Sequence, residues 1–232
     1  MKLSDLKAVN AARAERRLCA VVTPLDGSPS RVVFAAEAAA DPLAAVLARR
    51  FASGTSGREA EAGVFVRVHR PPPRLVVIGA VHVTQTLAPM AEAVGFEVRI
   101  IDPRGAFATE ERFGAFDLVA EWPDAGSMTL DAETAVTTLT HDPKIDDPAI
   151  IAALEADCFY IGALGSRKTH AKRVDRLTAA GFTADAIGRI HAPIGLPIGA
   201  ASPPEIAVAV LAEVIAALRG AEHKVAPERK AA

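Results

Sequence analysis

The chain has 232 residues, 50% of them hydrophobic and 23% charged, which excludes a disordered or fibrous protein and supplies material for a buried core. Lys and Arg number 26 against 28 Asp and Glu, a formal net charge of -2, so neither nucleic acid nor an anionic membrane surface is an expected partner. The two cysteines, Cys19 and Cys158, lie in apolar, strand-like runs and not in paired motifs; a disulfide framework and a cysteine zinc cluster are not indicated, and a reducing cytoplasm fits.

Met1 to Arg17 scatters Lys2, Asp5, Lys7, Arg13, Glu15, Arg16 and Arg17 among apolar positions, which predicts an amphipathic helix and not a secretory signal. Leu18 to Pro24 and Arg31 to Ala35 are apolar runs joined by Asp26-Gly27-Ser28-Pro29, the composition of paired strands around a turn. Asp41-Pro42 then predicts a helix start, Asp41 capping and Pro42 in the first position, with Leu43, Val46 and Leu47 on one face and Gly54 at the stop. Gly63 to Arg70 reads as a strand. Pro71-Pro72-Pro73 is stiff and donates no backbone hydrogen bonds, so the expected domains are 1–70, a small α/β unit, and 74–232, with a proline linker at 71–73.

Beyond the linker, Leu75 to Ile78, Val98 to Ile101, Leu118 to Ala120, Ala135 to Leu139 and Phe159 to Ile161 alternate with helix-length segments. They lack polar alternation, as strands covered on both faces should, so the fold class is α/β with a Rossmann-like parallel sheet. Pro89 is expected to bend the first helix of this domain. Ser202-Pro203-Pro204-Glu205 carries the signature of a capping box. The helix it opens has Ile206, Val210, Leu211, Val214, Ile215 and Leu218 on one broad side and Ala209, Ala212 and Ala216 on most of the rest; this fits burial within the domain or a homodimer contact. Its apolar run is short of the roughly 20 residues of a membrane span and holds Glu213. From Glu222 the chain is charged, Ala-rich and expected to fray.

In open parallel sheets ligands bind outside the carboxyl ends of the strands, and here the residues after the apolar runs are polar. The candidate binding residues are Gly79 and His82, Asp102, His141 and Asp142, then Gly162, Gly165, Ser166, Arg167 and Lys168, and finally His191. Arg74 to Asp102 is laid out as a dinucleotide-binding unit, but the Gly-x-Gly-x-x-Gly fingerprint is met by Gly79, Val81 and Thr84, and β-branched side chains occupy space the pyrophosphate needs. Gly162 to Lys168 offers glycines, a capping serine and two cations at a helix start, either an anion site or a strand-to-helix turn whose Arg167, Lys168, Lys172, Arg173 and Arg176 face solvent. His141 with Asp142 is a proton shuttle or a satisfied loop. His82, His141, His170 and His191 lack metal-site spacing, and no metal is expected. No catalytic nucleophile stands out, Cys158 reading as a small hydrophobe.

Val77-Ile78-Gly79-Ala80-Val81-His82-Val83, Thr140-His141-Asp142-Pro143-Lys144, Tyr160-Ile161-Gly162-Ala163-Leu164-Gly165-Ser166-Arg167, Arg189-Ile190-His191-Ala192-Pro193-Ile194-Gly195-Leu196 and Ser202-Pro203-Pro204-Glu205-Ile206-Ala207 follow in order through the second domain. Together they make Arg74 to Arg219 resemble the C-terminal Rossmann domain of the xanthine dehydrogenase accessory factor family, XdhC/CoxI. The resemblance implies a maturation factor and not a metabolic catalyst: a chaperone that binds molybdenum cofactor as cargo, a molybdopterin bearing a phosphate, and delivers it sulfurated to a xanthine dehydrogenase or carbon monoxide dehydrogenase apo-enzyme. A cysteine desulfurase is a further implied partner. The family commonly has Gly-Ala-Gly-His-Val-Gly where this chain has Gly79 to Thr84. Residues 1–70 also lack a counterpart of its Ser-Gly-Gly-Cys-Val-Glu motif, Ser53-Gly54-Thr55-Ser56-Gly57 being a distant echo. Two alternatives stay open: an NAD(P)-dependent oxidoreductase with an altered loop, and a non-binding dimeric scaffold.

Overall fold

The computed structural model describes residues 2–220, and the chain divides into two units, one up to residue 71 and one over 72–218. In the first, α1 (Leu3–Ala14) precedes β1 (Cys19–Pro24), β2 (Arg31–Phe34), a 3-10 run (Ala35–Ala40), α2 (Ala44–Ser53), β3 (Gly57–Glu59) and β4 (Val64–His69). The strands form an antiparallel sheet in the order β2-β1-β4-β3. Alternation divides its faces: Ala20, Val22, Val64 and Val66 pack on Leu47 and Phe51 of α2, while Cys19 and Val21 pack on Val9 and Ala12 of α1.

The expected helix start at Asp41-Pro42 falls short, because α2 begins at Ala44 with Leu43 in the capping position. Asp41 closes the alanine-rich 3-10 run, its own N–H bonded to the Ala38 carbonyl. Its carboxylate accepts the Leu43 N–H at 2.8 Å and the Arg31 guanidinium, a turn geometry natural to Asp. Gly54 ends α2 in the left-handed conformation. Ser53 to Gly57 is the turn from α2 into β3, the Arg50 guanidinium reaching Thr55 and filling the space over Gly57.

The second unit runs β5 (Arg74–Ile78), α3 (His82–Ala93), β6 (Glu97–Ile101), α4 (Glu110–Phe113), β7 (Asp117–Val119), α5 (Ala125–Met128), β8 (Thr134–Thr138), α6 (Pro143–Glu155), β9 (Tyr160–Ala163), α7 (Arg167–Ala179), α8 (Ala184–Ile187), β10 (Ile190–His191) and α9 (Pro203–Leu218). Its six strands are ordered β10-β9-β8-β5-β6-β7, every pair parallel. Val76, Ile78, Val136 and Ile161 meet α6 and α7 on one face. Leu75, Val77, Ala135 and Tyr160 meet α3 and α9 on the other, which is why these strands carry no polar alternation. The five longer strands match the apolar runs. The two-residue β10 and the one-turn helices α4, α5 and α8 are too short to leave a period.

Helix α3 continues through Pro89. At the start of α9 the Glu205 carboxylate accepts the N–H of Ser202 at 3.0 Å, as a capping box requires, and that of Ala201 at 2.7 Å. Ala207 and Ala209 are buried inside the unit. The expected fraying from Glu222 lies outside the described residues. Among the described residues, no helix is long and apolar enough to cross a membrane.

The strand order reverses beside β5, with β6 on one side and β8 on the other, which opens a crevice at their carboxyl ends.

Candidate functional site

All the polar loops singled out in the sequence leave the carboxyl edge of this one parallel sheet, after β5, β6, β8, β9 and β10. Their side chains divide into those that hold backbone and those that line cavities.

At the crevice, Gly79 has φ +119°, and a Cβ there would lie 3.0 Å from Thr140 Cγ2, so only glycine lets the β5 loop come this close to the β8 loop. Thr84, at the third fingerprint position, is fully buried, and its hydroxyl donates to the Gly79 carbonyl at 2.5 Å. Asp102 is also fully buried. One of its oxygens accepts the Ala80 N–H at 2.8 Å and Arg104 Nη2 at 2.7 Å; the other takes the N–H and Nε of Arg104 at 2.9 and 2.8 Å. Burial alone would raise its pKa, but these donors outweigh that and hold it below the ordinary value. Arg112 in turn donates to the Ala80 carbonyl at 3.0 Å. In a dinucleotide site the loop N–H groups face the pyrophosphate and the acid faces the ribose; here acid and N–H satisfy each other. His82 is exposed in the first turn of α3.

After β8, His141 is exposed with φ +65°, and Asp142 caps α6 by accepting the Lys144 N–H at 2.9 Å. The Thr140 hydroxyl donates to the fully buried Asp146 at 2.7 Å. After β9, Gly165 turns at φ +134°, and Ser166 caps α7 by accepting the Thr169 N–H at 3.2 Å.

Gly162 serves packing: a Cβ would stand 2.5 Å from Ile194 Cδ1 and 2.6 Å from the Tyr160 hydroxyl. Gly162→Ala is therefore expected to cost about 1–3 kcal/mol by overpacking, read as a lowered denaturation midpoint with unchanged slope; an unshifted midpoint would show that the site yields freely.

The neighbours Arg167 and Lys168 line different recesses. Arg167 lines a cavity of about 790 Å3 with Leu164, Ile194, Leu196, Ile206 and Glu213. Lys168 lines one of about 210 Å3 with His141, Lys172 and Arg173. The larger cavity has the size and apolar walls of a small-molecule site.

Behind it lies a cluster that sequence reasoning misses. Glu213 Oε2 accepts the Tyr160 hydroxyl at 2.5 Å and the Gly195 N–H at 2.8 Å. Its Oε1 is 3.1 Å from His191 Nδ1, and the Tyr160 and His191 rings are 4.6 Å apart. Burial would raise the Glu213 pKa, yet His191, Tyr160 and Gly195 together keep it lowered; burial and Glu213 push Tyr160 well above the ordinary phenol. The signal that could have found it is Glu213 itself, an acid among apolar residues.

Both cysteines are free and buried, and burial pushes the Cys158 thiol up to about 12. Among the described residues no group of three or more His, Cys, Asp or Glu is placed to hold a metal ion.

Fold and site define a Rossmann-like α/β unit whose dinucleotide loop is closed by its own side chains and whose cavities lie toward β9 and α7. The XdhC Rossmann domain model matches residues 75–214, and the chain belongs to that family. It is 35% identical over 145 residues to the Escherichia coli molybdenum cofactor insertion chaperone PaoD, 62% of this chain and 40% of PaoD. It is 33% identical over 155 residues to a probable xanthine dehydrogenase subunit of Bacillus subtilis, 66% of this chain and 45% of that one. The chain thus spans less than half the length of the curated relatives it matches. A crystal structure of a xanthine dehydrogenase from Bacillus halodurans shares the fold, with a TM-score of 0.61 and 23% identity, over 97% of this chain and 66% of that one.

Proposed function

We propose that this protein serves the maturation of a molybdenum hydroxylase of the xanthine dehydrogenase or carbon monoxide dehydrogenase type, holding molybdenum cofactor as cargo for the apo-enzyme. Membership in the XdhC family and the likeness to PaoD support the class of function. The observation that carries the binding reading is the cavity of about 790 Å3 beside β9, apolar along Ile194, Leu196 and Ile206 and cationic at Arg167. In this reading Arg167 pairs with the phosphate of the cargo. The apolar walls take the flat heterocycle, and the Glu213 carboxylate on the cavity wall meets its polar edge.

Transfer of sulfur through a thiol of this chain is not part of the proposal, since both cysteines are buried and the Cys158 thiol is held protonated. A cysteine desulfurase would act on the cargo directly. The oxidoreductase alternative draws no support from a loop whose Ala80 N–H is bonded to Asp102.

The test is co-purification from a molybdenum-replete host, with bound metal and oxidised-pterin fluorescence measured in the eluate. Arg167→Ala is expected to lower retained pterin by about tenfold, the scale of a lost charge-assisted contact, while Arg58→Ala leaves it unchanged. Equal retention in both variants would remove Arg167 from the site, and NADH binding at micromolar concentration would overturn the reading in favour of the oxidoreductase.

A further inference from the structure

The smaller recess has no part in that reading. Its volume of about 210 Å3 is below the roughly 300–1,000 Å3 of pockets that enclose drug-sized ligands, so it suits one charged group and not a whole heterocycle. His141 lies on one wall; Lys168, Thr169, Lys172, Arg173 and Arg176 come from one side of α7, where residues three and four apart are neighbours.

Arg173 is the anomaly. It is 2% exposed, and its Nε and Nη1 have no hydrogen-bond partner. The nearest carboxylates stand too far away to accept: Asp147 Oδ1 is 3.7 Å from Nε, and Asp146 Oδ2 is 4.0 Å from Nη2. Arg176 grips Asp147 through Nε and Nη2 at 2.5 and 3.0 Å; Asp146 accepts the Thr140 hydroxyl on Oδ1, and its Oδ2, on the Arg173 side, has no hydrogen-bond partner. A guanidinium remains charged in a protein interior, and idle buried donors are rare in native structures, so these N–H groups call for an acceptor from outside the chain. The charges favour an anion. Lys168, Lys172, Arg173 and Arg176 are four cations against the carboxylates of Asp146, Asp147 and Asp175, a positive excess that the -1.5 to -2 charge of a phosphate monoester would more than offset.

We propose that this recess is a phosphate-binding site, the ligand oxygens accepting from the buried Arg173 guanidinium while the Lys168 and Lys172 ammonium groups close over them. It is separate from the cavity at Arg167 and does not depend on the cargo assigned there.

The experiment is a calorimetric titration of the whole chain with inorganic phosphate, repeated with glycerol 3-phosphate, while the Arg173 Nε–H resonance is followed by NMR. Saturable binding that moves this resonance is the expected result, with a loss of about tenfold or more in affinity in Lys168→Ala/Lys172→Ala. These lysines are exposed, so the double variant folds even if Arg173→Met does not. Lys7→Ala/Arg58→Ala removes the same charge elsewhere and is expected to bind as the parent does. Tighter binding of the monoester identifies the site as the anchor for a larger molecule's phosphate, and tighter binding of inorganic phosphate identifies free phosphate as its ligand; both outcomes support the proposal. No saturable binding at millimolar phosphate, or an equal loss in the two double variants, would overturn it. Cargo retention in Arg167→Ala reports on the other cavity and is independent of either result.

Discussion

Glu213→Ala is expected to destabilise the protein by about 2–4 kcal/mol, because two buried donors lose their acceptor. The change strands the Tyr160 hydroxyl, which sits in a 1% exposed side chain, and the Gly195 N–H. At about 2–4 °C per kcal/mol for a chain of this size, the melting temperature should fall by on the order of 10 °C. Glu213→Gln keeps the shape and should lose less, and it isolates the charge. The Glu213 pKa lies below its ordinary 4.5 in the folded state, so the unfolded chain binds the proton more readily. The stabilisation is therefore complete above the ordinary carboxylate range and is lost as pH falls through the lowered folded value. The stability gap between parent and Glu213→Gln should shrink on acidification from neutral pH. A gap that stays constant in urea titrations across that range would show that the carboxylate is not held ionised.

Asp102→Ala should cost about 2–3 kcal/mol, the lower part of the range for breaking a buried ion pair, because the surviving Arg104 side chain is 32% exposed and water screens it. The Ala80 N–H is orphaned as well. Thermal unfolding of Asp102→Ala and Asp102→Asn separates the two contributions: the amide keeps an acceptor for Ala80 and should recover part of the loss. If Asp102 were instead a ribose ligand with no internal role, both variants would melt with the parent.

The sheet is legible in the sequence because Leu75 to Ile78 of β5 and Tyr160 to Ala163 of β9 are unbroken apolar runs, as strands buried on both faces read, even though β6 carries Arg99 and β8 carries Thr137 and Thr138. Where an element is one turn or two residues long, as at α8 and β10, no periodicity exists to read. The start of α2 is misplaced by sequence because Asp-Pro serves a turn as well as a cap, and only the preceding 3-10 run decides between them. The site is legible as a set of loops and not as a set of contacts. Sequence places Asp102, Asp142 and Ser166 at the edge, but cannot show that the first turns inward onto Ala80 and the others close helix ends. Nor can it pair Tyr160 with Glu213, 53 positions apart. Arg173 reads as one of several solvated cations, and its burial follows from how α7 lies on α6 and not from α7 alone.

The bond between Asp102 and the Ala80 amide bears on any attempt to re-engineer this loop as a coenzyme grip. Installing glycine at 81 and 84 would clear the steric obstruction and leave the donor occupied, since the carboxylate would still hold it at 2.8 Å. Arg104 anchors that carboxylate on both oxygens, so re-engineering has to cut this tether as well, and a double glycine variant made without that third change should still show no appetite for NADH.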